Sequence, residues 1–191
     1  MRDNQDKLSW IESDVGPLIL LSREYLPYWE GIDAPSGGRV VQANFRWNEK
    51  SAPATDYDRA VDISLNGYLG IIDVHKGKGL VLGGEKMQTA WLATKSGKSR
   101  GMLVRCMYSD DDDAVLQALA EIAVEAWKQS GLVFDVGPEP LYLFGSANRG
   151  DEIEAAQYLE INLDPGAYSI ANMIRFDDDI GLVLHRLSKL S

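Results

Sequence analysis

The sequence predicts an α+β protein, mainly antiparallel β, in which two related four-strand units are joined by a strand, helix, strand bridge. Three observations lead there: a set of short apolar blocks that occurs twice, one strongly signalled helix between the two sets, and a 45% hydrophobic composition over 191 residues, enough to bury a sizeable core. The first set is Gly16-Pro17-Leu18-Ile19-Leu20-Leu21, Ala60-Val61-Asp62-Ile63, Asn66-Gly67-Tyr68-Leu69-Gly70-Ile71-Ile72 and Gly79-Leu80-Val81-Leu82-Gly83. The second is Glu139-Pro140-Leu141-Tyr142-Leu143-Phe144, Leu159-Glu160-Ile161-Asn162, Pro165-Gly166-Ala167-Tyr168-Ser169-Ile170 and Gly181-Leu182-Val183-Leu184-His185. Each block is an apolar run bounded by Gly, Pro, Asn or Asp, the pattern of strands separated by tight turns. The expected organisation is a single compact domain over 1–191, with an internal repeat over 16–83 and 139–186 and a linking segment over 101–136.

Along the chain, residues 22–31 are rich in aromatics, but Pro27 forbids a long regular helix, so one or two helical turns covering the sheet are expected. An insertion near 31–55 separates the first two blocks of the first copy. Within it, Val41, Ala43, Phe45 and Trp47 alternate with Gln42, Asn44, Arg46 and Asn48, the pattern of a half-buried strand over 39–48. The stretch His75-Lys76-Gly77-Lys78-Gly79 sits between apolar runs and predicts a hairpin turn. The linking segment holds a strand at 101–108, a helix from about 111 to 130 and a strand at 132–136. For the helix, Ser109 and the following aspartates supply an N-cap and favourable charge, and Gly131 supplies the stop. Val115, Leu116, Leu119, Ile122, Ala123, Ala126 and Trp127 form its apolar stripe.

Charge narrows the partners. The formal net charge is −10 and the isoelectric point about 4.6, so bare nucleic acid and anionic membrane surfaces are repelled at long range, whereas a basic partner is attracted. Four charges fall within the first nine residues and no run of about 18 apolar residues occurs, which predicts neither a signal peptide nor a membrane span and places the chain in the cytoplasm. Chemical motifs are lacking. Gly97-Lys98-Ser99 resembles the tail of a phosphate-binding loop, but position 92, where that loop needs glycine, is Leu. The single cysteine, Cys106, lies in an apolar run and forms no intrachain disulfide or cysteine-based zinc site, and His75 and His185 belong to no metal-spaced pair. The acidic runs at 110–113 and 177–179 lack the alternation and glycine of a calcium loop, so capping and turn duty are expected of them. No cofactor and no metal are predicted.

Several of these segments taken together are familiar. Trp10-Ile11-Glu12-Ser13 leading into the 16–21 block, Trp29-Glu30-Gly31, Asp56-Tyr57-Asp58-Arg59-Ala60, Gly67-Tyr68-Leu69-Gly70, Gly79-Leu80-Val81-Leu82-Gly83 and the closing Leu182-Val183-Leu184-His185-Arg186-Leu187 resemble family twenty-one of the bacterial immunity proteins. The resemblance spans about 10 to 187. It implies a small cytoplasmic antidote, encoded beside a toxin of a polymorphic or contact-dependent system, that protects its producer by binding that toxin. It supplies no catalytic residues. Departures fall in the 31–55 insertion and the polar 95–100 turn, where partner specificity is expected to reside.

The leading expectation is thus a non-catalytic inhibitor of a cognate, basic toxin domain. Its contact residues are expected among Asp56, Asp58, Asp177, Asp178 and Asp179, with Arg39, Arg46 and Trp47 on the inserted strand as further anchors, since Arg and aromatic residues dominate interface hot spots. Self-association is not readable from the sequence. A second expectation is a small-molecule-binding or regulatory module with a cleft between the two units and Tyr68 and Tyr168 in equivalent places. A third is an enzyme using Cys106 or His185.

Overall fold

The computed structural model describes residues 8–35, 43–47, 53–65, 67–84, 87–94, 97–109 and 111–191. Arg39, Asn48, Asn66, Lys95, Ser96 and Asp110, all within segments singled out above, lie outside the described residues. The strands are β1 (Trp10–Ile11), β2 (Leu18–Ser22), β3 (Leu69–Val74), β4 (Gly77–Leu82), β5 (Gln88–Ala93), β6 (Arg100–Tyr108), β7 (Lys128–Val136), β8 (Leu141–Gly145), β9 (Tyr158–Ile161), β10 (Gly166–Phe176) and β11 (Gly181–Lys189). The helices are α1 (Asp56–Ser64) and α2 (Asp112–Ala120).

The strands form two sheets, one of six in the order β1-β5-β6-β11-β10-β7 and one of five in the order β3-β4-β2-β8-β9. All pairings between these strands are antiparallel, so the mainly antiparallel α+β class expected from the sequence is the class observed. The sheets face each other across a shared apolar core in which Leu18, Leu20, Leu80, Leu82, Leu141 and Leu143 of the five-stranded sheet meet Leu103, Phe134, Tyr168, Ile170 and Leu187 of the six-stranded one. Each sheet is also covered on its other side. Ile19, Leu21, Val81 and Phe144 pack with Ala60 of α1 and with Leu26 and Trp29, while Val104, Leu182 and Leu184 pack with Val115 and Ala118 of α2. The result is four layers, helix, sheet, sheet, helix. Burial on both faces explains why β2 is an unbroken apolar run instead of an alternating one.

Several local expectations hold. Arg23–Tyr28 forms two turns of 3-10 helix over the five-stranded sheet, and β3 and β4 are joined by a hairpin with His75 at positive φ. The strand, helix, strand bridge is present as β6, α2 and β7.

Other expectations are corrected. The blocks do not lie as two four-strand units: the sheets have six and five strands, the opening blocks β2 and β8 pair within one sheet, and the hairpins β3-β4 and β10-β11 belong to different sheets. Ala60-Val61-Asp62-Ile63 is helical, whereas Leu159-Glu160-Ile161 belongs to β9. A capping box begins that helix, with the Thr55 hydroxyl accepting from the Asp58 N–H at 3.1 Å and the Asp58 carboxylate accepting from the Thr55 N–H at 3.0 Å. Helix α2 is capped by Asp111, which accepts from the Ala114 N–H at 2.8 Å, and it ends at Ala120, not near 130. Gly131 is not its stop. With φ +78°, it sits inside β7 at a bulge, where the Ser130 hydroxyl donates to the Ile170 carbonyl at 2.8 Å and accepts from the Leu132 N–H at 3.1 Å. Lys128 and Gln129, read as the last helical turn, instead pair with Asn172 and Ala171. Among the described residues, no helix is long and apolar enough to cross a membrane.

Candidate partner-binding surface

Helix α1 organises one end of the molecule through its carboxylates, and this relocates two expected contact residues. Asp56 and Asp58 are each only 1% exposed. Asp56 pairs with Arg59 at 2.8 Å and accepts the Glu30 N–H at 2.9 Å. Asp58, besides its capping role, accepts the Trp47 N–H at 2.7 Å. One turn further along, Asp62 accepts the Asn44 N–H at 2.7 Å and the Phe45 N–H at 3.1 Å. Neither Asp56 nor Asp58 is thus a surface contact. Their charge is spent inside the fold, where hydrogen bonds and an ion pair offset the cost of burying it.

The same hydrogen bonds correct the inserted strand. Residues 43–47 form no strand; three of their backbone N–H groups point at α1 instead of at a neighbouring strand. Arg46 turns back on this segment, its Nη1 donating to the carbonyls of Phe45, at 2.9 Å, and Ala43. Trp47 is 52% exposed. Its ring stands edge-on to Tyr57, centroids 5.8 Å apart and planes at 90°, and Phe45 meets the same ring at 6.2 Å.

Two adjoining clefts open at Val15, the second bordered by Trp47. One, of about 320 Å³, is lined by Glu12, Asp14, Val15, Gly145, Asn148 and Gln157. The other, of about 370 Å³, is lined by Val15, Ile32, Asp33, Trp47, Arg149 and Glu152. Val15, Ala147, Asn148 and Gln157 line both. Their walls are tied together: Trp29 Nε1 donates to the Ser146 carbonyl at 3.0 Å, Ile32 N–H to the Ala147 carbonyl at 3.0 Å, and Gly150 N–H to the Trp29 carbonyl at 2.9 Å. Arg149 lies beside Asp151, Glu152 and Glu30 at 3.0, 3.5 and 3.8 Å, and its hydrogen bond holds the Asp151 carboxyl below the usual range. Trp47 is the one expected contact residue on this cleft; the rest of the lining comes from residues 10–15, 32–33 and 145–157, which only the fold brings together.

The expected aspartates at 177–179 do reach the surface, in the turn between β10 and β11. They line a third cleft, of about 370 Å³, with Gln117, Glu121 and Arg175. Asp177 accepts from the N–H groups of Asp179 and Ile180 at 3.2 and 3.0 Å and pairs with Arg175 at 3.1 Å, so it holds the turn. Asp178 and Asp179 are exposed.

The interior polar groups bear on the remaining expectations. Arg105 is 1% exposed and donates to the carbonyls of Gly83 and, at 3.1 Å, Gly84; burial lowers its guanidinium to about 10. Beside it, burial, reinforced by Arg105, lowers His185 to about 3. Its neutral ring donates from Nδ1 to Asn172 Oδ1 at 2.9 Å and leaves Nε2 unpartnered. Cys106 packs in the apolar cluster under α2, with Leu182 and Leu184, while His185 follows the alternate side of β11, so the two point to opposite faces of the sheet and form no pair. Burial also pushes the Cys106 thiol up, away from the thiolate. Among the described residues, no group of three or more His, Cys, Asp or Glu side chains is placed to hold a metal. Tyr68 is exposed, whereas Tyr168 is buried with its hydroxyl donating to the carbonyls of Asp164 and Lys98 at 2.8 and 3.1 Å. They do not face each other across a cleft; apolar side chains fill the space between the sheets.

The molecule is an acidic four-layer α+β sandwich whose exposed features are carboxylate-lined clefts and an aromatic side chain held from behind. The chain belongs to the immunity protein 21 family, whose sequence profile matches residues 9–179. Comparisons with curated proteins and with solved structures return no significant match.

Proposed function

We propose that the protein neutralises a cognate bacterial toxin in the cytoplasm by forming a stoichiometric complex with it, without turning over any substrate. The observation that carries this is membership of the immunity protein 21 family over nearly the whole chain. The net charge of −10 and the carboxylate-lined clefts add the chemistry of the partner: a basic toxin domain, as an enzyme acting on nucleic acid would present, would be drawn to this surface and steered by its field. Bare nucleic acid and anionic membranes would be repelled. The test is co-expression with the toxin domain encoded beside this gene. The expected outcome is restored growth and a co-eluting complex of fixed stoichiometry, with the toxin recovered chemically unaltered. Growth arrest with no complex would refute the proposal, and a covalently modified toxin would replace binding with catalysis.

A further inference from the structure

We infer that the cleft running from Glu12 and Asp14 to Trp47 receives a Lys- or Arg-bearing segment of the toxin, with Trp47 as its aromatic anchor; this rests on the immunity reading above. The first reason is electrostatic. The charged side chains lining the two joined clefts are Glu12, Asp14, Asp33 and Glu152 against Arg149 alone, and Arg149 already has three acidic neighbours. A cationic segment entering there meets Glu12, Asp14 and Asp33, none of which is among the ion-pair partners of Arg149.

The second reason is the construction of the anchor. Trp47 keeps half its surface exposed although its backbone N–H is held by buried Asp58 and its ring by buried Tyr57. Tyr57 also supports the opposite wall. Gly16, at φ +70°, approaches so closely that a Cβ there would lie 2.6 Å from the Tyr57 ring, which seats the turn containing Val15. One buried ring therefore backs both Trp47 and the Val15 turn. A large exposed aromatic in fixed orientation costs little entropy on binding and offers its face to a Lys or Arg cation. Val15, itself 40% exposed, and Ile32 give the aliphatic stem of such a side chain an apolar wall.

The experiment uses the full chain and the toxin domain encoded beside its gene, with affinity and binding rates measured by surface plasmon resonance at several salt concentrations and folding by thermal melts. Trp47→Ala should weaken binding on the order of 30-fold, the signature of a hot spot. The double variant Glu12→Lys/Asp14→Lys should weaken it at least as much and flatten its salt dependence. Glu125→Lys/Asp135→Lys makes the same change in net charge on exposed residues away from the cleft and should leave the dissociation rate unaltered. If Trp47→Ala melts early, the Glu12 and Asp14 pair, both exposed, decides alone. Wild-type affinity retained in folded cleft variants would overturn the cleft assignment while sparing the immunity reading; a wild-type protein that does not bind at all would overturn both.

Discussion

At the scale of single residues, buried charge does structural work that the sequence made look like surface chemistry. Asp58 closes the capping box of α1 and holds the Trp47 backbone. Asp58→Ala should cost about 1–3 kcal/mol, because it removes the N3 half of the capping box and leaves the Thr55 and Trp47 N–H groups without their acceptor, and should release Trp47, seen as a lower urea midpoint together with a shift of tryptophan emission. His185 gives a pH dependence whose sign follows from its surroundings. The groups packed against it are Asn172, its hydrogen-bond partner, and the Arg105 cation, and its folded pKa of about 3 lies far below the ordinary value of 6.5. Below pH 6.5 the unfolded chain takes up a proton that the folded one refuses until near pH 3. Stability should therefore be insensitive to this group above pH 6.5 and fall as pH drops from 6.5 toward 3, by up to about 1.4 kcal/mol per unit. Chemical denaturation across that range measures the slope, and His185→Gln should remove it.

At the scale of elements, most strands were legible, while β1, β5 and the helix boundaries were not. Strand segments buried on both faces advertise themselves as continuous apolar runs, as residues 18–21, 80–82 and 182–184 do. Ala60 to Ile63 is apolar enough to pass for a strand, and only the Thr55 and Asp58 box, three residues apart, marks the helix. Gly131 could equally have ended a helix or opened a bulge; what decides is its partner strand β10, forty residues away, which sequence reading does not see. Because a side chain at Gly131 would meet open space, the cost of substitution there is conformational alone. Gly131→Val should destabilise by about 1–2 kcal/mol, while Gly131→Asn, which tolerates positive φ, should cost less. Equal thermal midpoints for the two would show that the bulge does not depend on the left-handed conformation.

At the scale of the whole molecule, net charge was readable from composition, but its distribution was not. Five chosen aspartates split into two that are buried in α1, one that holds a turn, and two that are free to steer. Asp178→Lys/Asp179→Lys should accordingly slow association with the toxin and reduce its sensitivity to ionic strength, with little change in dissociation, as stopped-flow measurements at low and physiological salt would report. Asp177 is left intact because its carboxylate receives the turn's N–H groups. The order of strands carries one more consequence, for synthesis. β11, which follows the other ten strands along the chain, lies in the interior of its sheet between β6 and β10, and β2 needs β8, made more than a hundred residues later, to complete its pairing. A nascent chain that stops short of β11 lacks the partner of two finished strands, so the six-stranded sheet closes only after residues 181–189 have emerged, and until then β6 and β10 each present an unpaired edge.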